Sequence, residues 1–105
     1  MNAENAKKVK EWFRKHDAEY TEFERIPESD RLHPDDQMCG LMKFHTLLEE
    51  PILELRIDAE GHMILLSDTD CRDLRDDVTE YDVIYLLRCS IFWGSKNNML
   101  GFGGG

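Results

Sequence analysis

Core-type side chains recur at Ala6, Val9, Phe13, His16, Tyr20 and Phe23, in steps of three or four residues. That spacing lines one side of a helix and predicts one from residue 3 to about 24. Lys7, Lys8, Glu11 and Lys15 fall mostly off the stripe. Pro27 ends the pattern, and Pro27-Glu28-Ser29-Asp30 has the composition of a turn. Pro34 suits the first position of a second helix, where a missing N–H costs no hydrogen bond. Asp35 and Asp36 then load its first turn with acid, favourable to the helix dipole. Met38, Leu41, Met42, His45 and Leu48 form its predicted core stripe, widened by Phe44 and Leu47, and Pro51 stops it.

The period then changes. Leu53, Leu55 and Ile57 alternate with Glu54, Arg56 and Asp58, the signature of a half-exposed strand. Asp58-Ala59-Glu60-Gly61 supplies a turn, and His62 to Ser67 returns as a second strand, giving a hairpin. The second strand is apolar on both faces through Met63, Ile64, Leu65 and Leu66. A bare hairpin is marginal in water, so another strand or a second subunit is expected against it. Residues 81–93 fit two periods. Tyr81, Val83, Tyr85, Leu87, Cys89, Ile91 and Trp93 alternate as in a strand, while Val83, Ile84, Leu87 and Ile91 share a helix face. Thr79 as N-cap, acids in the first turn and Gly94 as a stop favour the helix. The fold expected is therefore α+β, helices packed on a small antiparallel sheet in the order α-α-β-β-α, with a strand as the alternative for the last element. One domain over residues 1–100 and a flexible Gly-rich tail over 101–105 complete the reading.

Composition adds charge to this picture. The chain of 105 residues carries 22 acids against 13 Lys and Arg, a net charge of −9. The excess is local. Residues 17–36 hold eight acids against Arg25 and Arg31, giving −6, and residues 68–82 hold seven against Arg72 and Arg75, giving −5. Residues 1–16 carry +3. Such a field repels nucleic acid and anionic membrane and speeds encounter with basic partners. The apolar runs are too short to span a bilayer, and the polar residues after Met1 lack the apolar core of a signal peptide. Cys39, Cys71 and Cys89 are odd in number, widely spaced and outside any C-x-x-C pair. These features together predict reduced thiols and a cytoplasmic location.

Candidate chemistry is sparse. Ile64-Leu65-Leu66-Ser67-Asp68-Thr69-Asp70, a hydrophobic strand entering D-x-D, resembles the nucleophile motif of haloacid dehalogenase-type phosphotransferases. That resemblance implies Asp68 as nucleophile, Asp70 as proton carrier and a magnesium ion between them. It covers seven residues, and the Gly-Thr or Gly-Val usual after the motif is Cys71-Arg72 here. The carboxylates continue as Asp73, Asp76 and Asp77, but an EF-hand counted from Asp68 would need Gly at Asp73 and Glu at Thr79. His16 and His45 lie on the two helical stripes near Cys39, which raises a Cys/His or metal arrangement if those stripes face each other. No H-x-x-x-H pair, nucleophile elbow or phosphate-binding loop is present. The terminal Gly-Gly is similar to that of ubiquitin-like carriers, which begin with a hairpin where this chain begins with a helix.

The function expected is that of a small acidic, non-enzymatic binding protein (adaptor, inhibitor or immunity-type) that meets a basic protein partner or itself, with no cofactor and no metal. Its candidate binding residues are Asp68, Asp70, Asp73, Asp76, Asp77, Trp12 and Trp93. The alternative is a small metal-dependent hydrolase or phosphotransferase built on Asp68 and Asp70.

Overall fold

A computed structural model of the chain describes residues 1–50, 56–57, 63–65, 71–94 and 99–103. Helix α1, Ala3–Lys15, is capped by the Asn2 side chain, which accepts from the Asn5 N–H at 2.8 Å. It buries Ala6, Val9 and Phe13, the first half of the predicted stripe. The helix stops at Lys15, well short of residue 24, and the chain continues as 3-10 turns at Asp17–Glu19, Phe23–Arg25 and Glu28–Asp30. Two physical causes meet here. Asp17, Glu19, Glu22 and Glu24 would place negative charge at a helix C-terminus, where the macrodipole opposes it. Thr21 is left-handed at φ 67, and its N–H leaves the local ladder to donate to the Leu87 carbonyl at 3.1 Å.

Helix α2, Asp36–Leu47, starts two residues later than predicted. Asp35 is its N-cap, accepting from the Met38 N–H at 3.0 Å, so Pro34 precedes the cap and does not open the helix. The predicted core stripe holds at Phe44, Leu47 and Leu48, which are buried, and is wrong at Met38, Met42 and His45. α2 buries Cys39, Gly40, Phe44 and Leu47, whereas Met38, Met42 and His45 face outward. Met38 is nine residues from Leu47, about half a turn around the axis. Because α2 is apolar on nearly every side, periodicity alone left two faces in competition. Contacts with α3 choose between them.

Helix α3, Glu80–Arg88, carries a complete capping box: the Asp82 N–H donates to Thr79 Oγ1 and the Thr79 N–H donates to the Asp82 carboxylate. The segment read as either helix or strand is both in succession. α3 ends at Arg88 with Cys89 as its C-cap, Ser90 turns the chain at φ 70, and strand β3 runs over Ile91–Gly94. Gly94 therefore ends a strand, not the helix.

Four short strands are described: β1 Arg56–Ile57, β2 Met63–Leu65, β3 and β4 Met99–Gly103. β1 pairs antiparallel with β2, with Ile57 opposite Ile64, and β2 pairs antiparallel with β4, with Ile64 opposite Phe102. β3 pairs antiparallel with β4, with Phe92 opposite Gly101. The turn at 58–61 and the remainder of the predicted hairpin strands lie outside the described residues. Gly101 to Gly103, read from sequence as part of a flexible tail, belong to β4. Glycine weakens a strand entropically, but pairing needs only backbone N–H and C=O groups, and β4 has a neighbour on each side.

The main core gathers Ala6, Val9 and Phe13 of α1 with Phe44 and Leu47 of α2, Leu74, Val78, Val83 and Leu86, and Ile91 of β3. A second buried cluster joins Ile26, Cys39, Tyr85 and Cys89, with Phe23 against it. At its centre the Tyr85 hydroxyl donates to the Asp30 carbonyl at 2.8 Å and accepts from the Leu32 N–H at 3.2 Å. The Cys39 Sγ lies 3.0 Å away. Tyr85→Phe leaves the Leu32 donor and the Asp30 acceptor unpaired, and is expected to lower unfolding free energy by roughly 1–3 kcal/mol in a urea titration. Tyr81→Phe, at an exposed ring, is expected to change it by about 0.5 kcal/mol or less.

Candidate functional site

The acidic loop before α3 is tied to the rest of the fold by backbone hydrogen bonds. The Glu49 N–H donates to the Asp73 carbonyl at 3.0 Å and the Arg75 N–H donates to the Leu47 carbonyl at 2.8 Å. Leu48 and Leu74 form a bridge between these bonds. The Met1 amino group donates to the Arg72 and Leu74 carbonyls at 2.8 and 3.1 Å and ion-pairs with Glu49 at 3.3 Å. Asp76 accepts from the Asn5 side-chain amide at 3.4 Å, and Asp77 accepts from Arg75 Nε at 3.3 Å. Glu49, Arg75, Asp76 and Asp77 line a shallow, open hollow of about 370 Å³. Asp73 is exposed on the 3-10 turn Cys71–Asp73. Asp68 and Asp70 lie outside the described residues, as does the strand-to-loop junction of the D-x-D motif. Among the described residues no group of three His, Cys, Asp or Glu side chains is arranged to hold a metal ion.

The two tryptophans are half-buried and pack against the main core. Lys10 Nζ sits 5.1 Å above the Trp93 ring, and Trp93 Nε1 is buried with no hydrogen-bond partner among the described residues. Neither ring stands out from the surface as a free anchor. The Cys/His arrangement does not assemble. His16 caps α1 and bonds Glu80, His45 is exposed, and Cys39 is buried on Tyr85. None of the three cysteines forms a disulfide, and all three are buried. Burial, reinforced by contact with Cys39, pushes the Cys89 thiol far above its ordinary range, which disfavours the thiolate needed of a nucleophile.

The cations pair with some of the acids and leave others without an ion pair among the described residues. Arg88 donates to Glu19 at 2.8 Å, and Arg25 donates to the other Glu19 oxygen at 2.9 Å. The Arg88 bond is the largest cause holding the Glu19 carboxyl below its usual range. Arg31 turns inward, donating to the Ile26 carbonyl at 2.9 Å and lying 4.7 Å over the Phe23 ring. Lys43 pairs with Asp82 at 2.9 Å and sits over Tyr85, and Lys15 and His16 both engage Glu80. His16 and then Lys15 lower the Glu80 carboxyl. Asp17, Glu24 and Glu28 carry no ion pair among the described residues, and all three are exposed.

Among the described residues the surface also exposes four large apolar side chains: Leu32 at 45%, Met38 at 44%, Met42 at 41% and Tyr81 at 44%. Sequence reasoning assigned Met38 and Met42 to the core and gave Leu32 no role. The signal that could have found them is the breadth of apolar residues around α2, which exceeds what one buried face can use. Tyr81 donates to the Asp30 carboxylate at 3.1 Å and packs edge-on against Tyr85, placing it beside the 30–32 segment that Tyr85 holds. Burial, then the Asp30 carboxylate, raise the Tyr81 hydroxyl above its ordinary value.

Asp82 links the capping box to the α2–α3 ion pair. Burial would raise its carboxyl, but the Thr79 N–H and the Lys43 ammonium outweigh that and hold it below the ordinary range. A depressed folded-state pKa contributes stability above the unfolded value, and that contribution is lost as pH falls through the folded value. Asp82→Asn is expected to cost about 1 kcal/mol near neutral pH. The gap to the unsubstituted chain should close in acid, as chemical denaturation at stepped pH will show. Comparison of the chain with protein-family models, with curated proteins and with solved structures returns no match.

Proposed function

We propose that the protein is an acidic, non-enzymatic binding domain for a basic protein partner, built as helices layered on a small antiparallel sheet. The observation that carries this reading is that every Lys and Arg of residues 17–50 and 75–88 is engaged within the chain. Arg25, Lys43, Arg75 and Arg88 are paired with this chain's own carboxylates, and Arg31 is spent on backbone carbonyls and an aromatic ring. The exposed acids of the 17–36 segment therefore present an uncompensated negative field, supported by a net charge of −9. A field of this kind raises the encounter rate with cationic surfaces and repels polyanions. No helix of the described residues is long and apolar enough to cross a membrane.

Affinity capture from source cells tests the reading. At low salt the chain is expected to retain proteins of high isoelectric point, and to lose them at several hundred millimolar salt as the screening length shortens. Glu24→Lys with Glu28→Lys, at two exposed positions, is expected to abolish that retention without altering the thermal midpoint by more than a few degrees. Retention of the same proteins by the charge-reversed variant, or none by either form, refutes it.

A further inference from the structure

We infer that the outer face of α2 is the docking surface for a cationic amphipathic helix of a partner protein, an inference that rests on the acidic binding reading above. Met38, Leu41, Met42 and His45 stand at i, i+3, i+4 and i+7, the spacing of a helix–helix seam. Met38, Met42 and His45 are exposed and Leu41 is half-buried. This seam is a consequence of the rotation of α2, fixed on its other side by Cys39 against Tyr85 and by Lys43 on Asp82. Methionine is flexible and polarisable, suited to a surface that must fit apolar side chains of varied shape.

Charge selects the occupant. Asp36 stands with the N-cap Asp35 at the N-terminal end of the seam, and the exposed Glu50 follows its C-terminal end beside Glu49, which is paired with the Met1 ammonium. Lys43 is the only Lys or Arg of residues 34–50, and Asp82 holds it away from the seam. An apolar strip closed at both ends by carboxylates fits a helix with an apolar face flanked by Lys and Arg. A second copy of this chain fits poorly, because a two-fold contact would bring the same carboxylates face to face. Regular i, i+3, i+4, i+7 spacing favours a helix over an extended segment, which would present side chains at period two.

The test uses the full chain with methyl-labelled methionines and two synthetic helical peptides of about four turns. One peptide carries leucines on one face and lysines on the other, and the second replaces every lysine with glutamate. The lysine peptide is expected to shift the Met38 and Met42 methyl resonances, and the glutamate peptide to leave them unmoved. Met38→Ser with Met42→Ser is expected to weaken lysine-peptide binding by about tenfold or more, given the apolar area removed. Both positions are exposed, so the fold should persist, and an unchanged thermal midpoint checks it. Lysine-peptide binding that is undiminished in the double variant, with shifts near Asp76 and Asp77, overturns the docking surface and leaves the acidic reading standing. Equal binding of both peptides, or none of either, overturns both. A dimer in light scattering that the double variant dissolves assigns the face to a second copy and also overturns it.

Discussion

The seam between α2 and α3 is the constraint on which the arrangement depends, and the Tyr85 hydroxyl is its centre. One phenol satisfies the Leu32 N–H and the Asp30 carbonyl while touching the Cys39 sulfur. Three segments distant in sequence thereby share one buried polar group. A buried hydroxyl with its partners in place costs little, whereas any of those partners left alone would be penalised by its own desolvation. Lys43 and Asp82 hold the same seam from its wetter side, and Asp82 also closes the cap of α3. The rotation of α2, the path of residues 30–32 and the start of α3 are therefore set together.

The 17–36 segment follows from that frame. It holds no long regular element, yet it is fixed at several points along its length. Glu19 is gripped by Arg88 and Arg25, Thr21 donates to Leu87, Ile26 is fully buried, and Arg31 reaches back to the Ile26 and Glu24 carbonyls. The acids of this stretch are thus divided between Glu19 and the N-cap Asp35, which organise structure, and several that remain at the surface. Exposed ion pairs contribute little individually, but the Arg88–Glu19 pair is mostly shielded from water and anchors a segment that has few other reasons to stay in place.

The sequence made legible whatever a single local rule decides. The stripe Ala6, Val9 and Phe13, the Thr79 cap of α3 and the β character of residues near Ile57 and Ile64 each follow from spacing or capping alone. What failed depends on distant partners. α1 could not be seen to stop at Lys15, because Thr21 leaves the helix for Leu87. The buried face of α2 could not be chosen, because Tyr85 and Asp82 choose it. Residues 81–93 satisfied two periods because they contain two elements, and only Ser90 in a left-handed turn marks their boundary. The site reading was similarly divided. The acidity was legible, while the exposed methionines were hidden inside a stripe assigned to the core.

The burial of every cysteine has a practical consequence. A thiol that water cannot reach reacts with a reagent only while its surroundings are open, so labelling speed measures how often that part of the molecule breathes. Cys39 and Cys89 lie in the cluster around Tyr85, whereas Cys71 lies in the main core. The chain thus contains intrinsic reporters of opening in two separate clusters, able to tell whether the α2–α3 seam loosens before the rest or only with it.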